Sequence, residues 1–287
     1  MLGHKLMQVL SQRNNVTGTV RGNSTDLANH PVFSGMNIIG NIRADDISGI
    51  EHEIEKLNPD VIINSIGIVK QLPAANDPLS AIAINALFPH QLAKICRQKN
   101  IRLIHMSTDC VFSGSRGNYT EEDPSDADDL YGKTKSLGEV NYPGCLTIRT
   151  SIIGRELNTS HGLIEWFLSQ EGKTVFGYKK AFFSGLTTLT LSGIIGEIIA
   201  DFPKIHGIRQ IASEPVSKYD LLNLVKKTYN LSIKIEPDKN IKNDRSLNAD
   251  KFKKETNIKI PSWEYMIDQM HRDTTPYTTL RTHHAYR

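Results

Sequence analysis

Two short stretches hold the side chains with which this sequence can do chemistry: "STDCVFSG" at 107–114 and "YGKTKSLGE" at 131–139. Tyr131 and Lys135 are four residues apart, a spacing that puts them on one face of a helix. Ser107, Thr108 and Asp109 follow the apolar run "IRLIHM", which reads as a strand. A hydroxyl, a phenol and an ammonium gathered in this way suit the reduction of a carbonyl. Tyr131 gives a proton to the developing alkoxide, Lys135 lowers the phenol's pKa from about 10 by its charge, and Thr108 hydrogen-bonds the same oxygen. No metal is required for that step. Taken singly, each piece has an ordinary explanation. Tyr and Lys meet at this spacing on many helices, and Ser-Thr-Asp after a strand commonly makes a turn or a cap. Their order and separation along the chain are what join them.

The elements that must position these groups are visible in the surrounding pattern. "MLGHKLMQVLSQRNN" carries Leu2, Leu6, Val9 and Leu10 at helical spacing. A short β-rich run covers Val16 to Val20, and "MNIIGNIRADD" gives another brief apolar run. Ile47, Ile50, Ile54 and Leu57 share one helical face before Asn58 and Pro59 stop it. "DVIINSIG" has the form of a strand buried on both faces. The segment 77–100 is helical by pattern, with Pro89 expected to kink it or to mark a boundary. This alternation of short buried strands with helices predicts an α/β fold, a Rossmann-type doubly wound parallel sheet. Ligands of such sheets bind at the carboxyl ends of the strands, where Ser107, Thr108 and Asp109 fall. The second half is less regular. It offers strands at "CLTIRTSIIG" and "GIRQIAS", helices at "GLIEWFLSQ" and "TLTLSGIIGEIIADF", and a helix opened by Ser217 as N-cap. From "IKIEPDKN" onward the chain is polar with small apolar islands, as in a lid-like lobe, and 272–287 reads as a loose tail. The expected organisation is a nucleotide-binding domain over 1–155, a smaller substrate lobe over 156–271 interleaved with it, and the tail.

Composition narrows the function classes. With 34 Lys+Arg against 31 Asp+Glu the 287-residue chain has a net charge of only +3, and it has no dense basic block to suit a nucleic acid. The three cysteines, Cys96, Cys110 and Cys145, form neither a disulfide framework nor a zinc motif, and the ten histidines show no metal-ligand spacing. No apolar run is long enough to span a membrane and no signal-peptide pattern opens the chain, so a cytoplasmic location is expected.

"STDCVFSG", "YGKTKSLGE" and then "TIRTSIIG" resemble the extended short-chain dehydrogenase/reductase superfamily, most closely its dTDP-4-dehydrorhamnose reductase (RmlD-like) branch. The resemblance runs over most of the chain. It implies a Rossmann domain for a nicotinamide cofactor, a smaller C-terminal α/β lobe that closes over a nucleotide-sugar, and Thr108, Tyr131 and Lys135 as the catalytic set, with Lys135 also on the cofactor ribose. Family members begin with a strand and a glycine-rich turn, of which Leu2 and Gly3 match the end, so about ten residues and two of three glycines are missing here. A start placed at an internal methionine is one explanation and a real truncation the other. If the chain is cut short relative to its functional form, a gap is expected between the strands near 16–20 and 60–65.

Further positions follow. Arg21 stands just past the second family strand, where a guanidinium pairs with a 2′-phosphate, and no Asp or Glu occupies that strand end to favour a free ribose hydroxyl. NADPH is therefore expected, with NADH admissible. Asp46 and Ile47 match the family's adenine-contacting pair, and Ser65, Ile66 and Gly67 match a cofactor loop. Asp109, Phe183 in "FFSGLTT" and Arg245 in "DRSLN" are the substrate candidates, Arg245 as a clamp on a diphosphate. The function implied is NADPH-dependent reduction of a nucleotide-linked 4-keto-6-deoxy sugar for deoxysugar and surface polysaccharide synthesis, with a homodimer admissible. Two alternatives stand beside it. One is a nucleotide-sugar epimerase, and the other a non-catalytic binding module like the regulatory subunit of methionine adenosyltransferase.

Overall fold

A computed structural model of the chain describes residues 1–28, 30–70, 73–157 and 159–277. The periodic apolar residues at the start form α1 (Leu2–Leu10), which buries Leu2, Leu6 and Leu10. β1 (Thr17–Thr19), the short α2 (Thr25–Ala28) and β2 (Asn37–Ile39) follow, with β1 and β2 paired in parallel. Asp46 caps α3 (Ile47–Leu57) by accepting the Gly49 N–H, and Asn58 ends it in the left-handed conformation. After β3 (Val61–Asn64) the long helical pattern becomes α4 (Pro78–Ala81), a π-helical turn over Ile82–Leu87 and α5 (Phe88–Gln98). Pro89 lies in the first turn of α5, so it marks the boundary after the π-turn. β4 (Arg102–Met106), α6 (Leu130–Leu137) and β5 (Cys145–Arg149) come next. Then follow β6 (Ile152–Ile153), α7 (Leu163–Leu168), β7 (Thr174–Phe183), β8 (Leu186–Thr187), α8 (Thr188–Asp201) and β9 (Gly207–Gln210). The last elements are β10 (Val216–Ser217), α9 (Lys218–Tyr229), β11 (Lys234–Asp244), α10 (Asp250–Thr256) and α11 (Trp263–His271).

The main sheet has the order β3-β4-β5-β9, and all of its pairings are parallel. Successive side chains point into two different cores. Ile104, Met106, Leu146 and Ile148 pack with α1 and α8, whereas Leu103 and Cys145 pack with α3 and α5. Helices therefore cover both faces, which is the Rossmann-type α/β arrangement. β1 and β2 form a sheet of their own. Among the described residues the edge of β1 not used by β2, and that of β3 not used by β4, carry no ladder, an interruption at the place where the gap was expected. No helix among the described residues is long and apolar enough to cross a membrane.

The second half contributes β5 and β9 to the main sheet, pairs β6 with β8, and builds a separate sheet, β10-β7-β11. β7 and β11 pair in parallel over most of their length, where the sequence pattern indicated only a polar lobe. β11 is an edge strand with Pro237 in its middle and mostly polar, solvent-facing residues. Its backbone ladder holds it, not a buried apolar face, so there is no hydrophobic period to read. The expectation of a loose tail needs correction over 272–277. Lys5 Nζ lies 2.5 Å from Asp273 Oδ2 and donates to Thr275 Oγ1 at 2.8 Å, while Tyr277 is buried against α1. These polar and aromatic contacts supply what helical periodicity lacks there. Residues 278–287 lie outside the described residues.

Candidate active site

The motif "YGKTKSLGE" becomes α6, and two of its glycines seat it. A Cβ at Gly132 would collide with the carbonyl oxygen of Cys110, and one at Gly138 with that of Asn85. Only glycine lets the helix approach both the turn after β4 and the π-turn. Asp129 starts the helix by accepting the Gly132 N–H at 2.7 Å, and it also pairs with Lys70 at 2.6 Å. Thr108, at the carboxyl end of β4, accepts the Cys110 N–H at 3.1 Å, so the ordinary capping role is present. Its hydroxyl donates to Asp109 Oδ1 at 3.2 Å, and it is near enough to Tyr131 to pull the phenol's pKa down. Lys135 is buried, and its Nζ donates to the Met106 carbonyl at 2.8 Å. Thr108, Tyr131 and Lys135 are thus gathered at one strand end.

The charges differ from expectation in one respect. Burial first, then the neighbouring Cys110, pushes the Tyr131 phenol above its ordinary value, and the bond to Thr108 offsets only part of this. Lys135 is expected to lower the phenol, but its ammonium is turned to the Met106 carbonyl and the groups that act on Tyr131 are Cys110, Thr108, Asp109 and Asp129. A phenol held protonated is still a proton donor. Burial also pulls Lys135 down to about 8, with Glu139 working against the fall.

Gly67 borders this set. A Cβ placed on it would lie 4.0 Å from Lys135 Nζ, and one on Gly3 would lie 3.8 Å from Ser65 Oγ. The start of α1, the loop 65–67 and the catalytic helix therefore meet. Asn64 Oδ1 accepts the Ile66 N–H at 3.1 Å. Asn85 accepts the Ile68 N–H at 2.8 Å and donates to the Ile68 carbonyl at 3.0 Å. Sequence reasoning missed Asn85, whose only signal was a lone amide on an apolar stretch of helix. Leu2 packs its side chain into the core, leaving its backbone for any ligand. Arg21 is exposed on the loop after β1, which is tied to the loop after β2 by an Asn41 N–H to Gly22 carbonyl bond of 2.8 Å. The charge of Arg21 acts on Asp45. Asp46 is engaged as a helix cap, and Ile47 packs half-buried against the core beneath α3.

Of the substrate candidates, Asp109 is buried, and burial raises its pKa while Arg245 works against the rise. Arg245 reaches over from the second sheet and donates from Nε to the Phe112 carbonyl at 2.9 Å. It ties the turn after β4 to the second lobe. Phe183 is a correction: it lies in the main core, with its ring centroid 5.4 Å from that of Trp263. Strand alternation turns Phe182 outward and Phe183 inward, so its side chain is not presented to a ligand. The largest omission is a buried trio behind the catalytic set. Glu139 accepts Ser107 Oγ at 2.7 Å, Arg149 Nε at 2.8 Å and Arg149 Nη2 at 2.7 Å. Glu139 stands four residues after Lys135 in the same motif, a spacing that was there to be noticed.

A parallel sheet sheathed by helices on both faces, with a Thr, Tyr and Lys set at the end of one of its strands, defines a Rossmann-type α/β protein. Residues 1–164 match the family described as RmlD substrate binding domain, and the chain belongs to that family. It is 33% identical over 101 residues to a dTDP-4-dehydrorhamnose reductase of Streptomyces griseus, covering 35% of this chain and 33% of that one. It is 34% identical over 108 residues to the dTDP-4-dehydrorhamnose reductase of Salmonella typhimurium, covering 36% of each. These matches span about a third of the length of the two curated relatives. The Sulfolobus tokodaii structure described as a hypothetical dTDP-4-dehydrorhamnose reductase superposes with a TM-score of 0.75 at 26% identity, over 92% of this chain and 94% of that one. The dTDP-4-dehydrorhamnose reductase of Bacillus anthracis, in complex with NADP, shares the fold with a TM-score of 0.75 at 17% identity, over 90% of this chain and 98% of that one.

Proposed function

We propose that this chain reduces the keto group of a nucleotide-linked 4-keto-6-deoxy sugar with NADPH, a step toward an activated deoxysugar for surface polysaccharide. The convergence of Thr108, Tyr131 and Lys135 beside the loop 65–67 carries this proposal. The names of the curated relatives and the NADP held by the Bacillus anthracis structure support it. The bare α-carbons of Gly3, beside Ser65, and of Gly67, beside Lys135, fit a close-lying cofactor, with Lys135 on its ribose and the start of α1 facing its pyrophosphate. When bound, the nicotinamide supplies the hydride. Tyr131 gives its proton to the carbonyl oxygen as negative charge develops there, and Thr108 holds the same oxygen. The phenolate that is left lies one helical turn from Lys135.

The experiment is to follow NADPH oxidation against a panel of 4-keto-6-deoxy sugar nucleotides. Turnover with one of them is expected. Tight NADPH binding with no turnover on any would favour a regulatory binding module, and isomerisation without net oxidation would favour an epimerase. Arg21→Ala separates the two cofactors. Only NADPH offers a 2′-phosphate to the guanidinium, a charge-assisted bond worth roughly 1.5 to 3 kcal/mol. Titrations should show NADPH weakened roughly tenfold or more and NADH nearly unchanged. Equal losses for both would return Arg21 to the solvated surface.

A further inference from the structure

We propose that Glu139 is a positioning residue of this active site: its carboxylate, pinned by Arg149 and Ser107, locks the end of β4 to the catalytic helix and supplies the buried negative charge that keeps Lys135 an ammonium. The proposal rests on Thr108, Tyr131 and Lys135 being the reacting set. One carboxylate joins three elements here, since Ser107 directly follows β4 and precedes Thr108, Arg149 ends β5, and Glu139 follows α6. The Glu139 and Arg149 side chains are each only 5% exposed. A buried ion pair is a poor way to gain stability, because desolvating two charges offsets most of their attraction, and well-packed apolar residues often serve as well. The charge therefore calls for another use.

Lys135 provides it. Its ammonium is buried and donates to the carbonyl of Met106, a neutral acceptor that cannot balance a positive charge. The groups around it are Tyr131 from its own helix, Glu139 just past that helix, His105 from β4, the uncharged Asn85 and Gly67, and Arg149 from β5, which shares the Glu139 carboxylate. His105 is itself buried, and burial holds it neutral. Glu139 is the anion that acts on Lys135 among the described residues, and it opposes the loss of charge that burial imposes.

Glu139→Gln tests the idea, because the amide keeps the size of the side chain and still accepts from Ser107. The Lys135 side-chain NMR signal, in lysine-labelled protein and assigned by its loss in Lys135→Met, should titrate about one pH unit or more lower in the variant. Reduction should fall roughly twofold or more at neutral pH, in step with the lost ammonium fraction, and recover as the pH is lowered, a rescue that simple loss of packing would not give. Should Arg149, left unpaired, prevent folding, Glu139→Gln combined with Arg149→Met removes both charges and should still lower the midpoint, by less. A folded variant of either kind with the Lys135 midpoint unmoved overturns the proposal. Because the NMR titration needs no turnover, a lowered midpoint in a chain that reduces no sugar nucleotide would support the pairing while the reductase function fell.

Discussion

Tyr131→Phe is expected to lower kcat for carbonyl reduction by roughly 10²- to 10⁴-fold while leaving nucleotide binding nearly intact. The substitution deletes one oxygen from a ring whose position is set by other residues. Gly132 and Gly138 seat the helix, Asp129 caps it, and Lys135 holds the Met106 carbonyl, all without the phenol. What is lost is the proton donor and its contact with Thr108. Burial keeps the phenol protonated across the neutral range, so in the wild-type chain the donor is present whenever substrate arrives. Steady-state kinetics together with NADPH titration would check this. A variant that kept more than about a tenth of the wild-type kcat would remove Tyr131 from the chemistry.

The second large effect concerns stability in acid, and it comes from His4. This residue is 5% exposed, and its Nε2 lies 3.0 Å from the Tyr277 hydroxyl, which itself donates to Asp273 at 3.1 Å. With its proton given to Asp273, the Tyr277 oxygen accepts from His4, so the neutral imidazole carries its hydrogen on Nε2. Burial, followed by neighbouring positive charges that include Lys5, brings the His4 pKa from 6.5 to about 3. The unfolded chain takes up this proton near 6.5, whereas the folded chain resists until about 3. The stability tied to neutral His4 is therefore complete above 6.5 and is lost as the pH falls toward 3, at roughly 1.4 kcal/mol per pH unit. Asp273 adds to the same trend. Burial would raise its pKa, but the hydrogen bond and charge of Lys5 outweigh that and lower it, so its contribution is present above 3.8 and fades as the pH drops through the folded value. His4→Gln keeps a donor to Tyr277 and removes the titration. Urea unfolding should show the wild-type chain losing roughly 3 kcal/mol more than the variant between pH 6.5 and pH 4. Parallel stability curves would refute the assignment.

Much of this protein is decided within a few neighbouring residues, and that part was open to reading from the sequence. Ile47, Ile50 and Ile54 repeat at helical spacing, Asp46 can cap and Asn58 can adopt the left-handed conformation, so α3 starts and stops where its own residues dictate. The short apolar runs at 61–64, 102–106 and 145–149 required strands buried on both faces, and hence a parallel sheet with helices on each side. The placement of Thr108 at a strand end, and of Tyr131 and Lys135 on one helical face, follows from the same local periods. Other features depend on which distant residues meet. Glu139 was visible as the fourth residue after Lys135, but its partners Ser107 and Arg149 lie at the ends of two separate strands and meet it only because α6 packs across them. Phe183 and Phe182 look alike in sequence, and strand alternation within the second sheet decides which one is buried. That sheet has an edge strand held by backbone hydrogen bonds, which every residue except proline can donate, so its composition carries no signal. The segment 273–277 has no period at all, and it is held to α1 by a lysine, a histidine and a tyrosine brought together across the length of the chain. Periodicity and capping act through adjacent backbone, whereas buried charge and shape act through space, and only the tertiary structure specifies that neighbourhood.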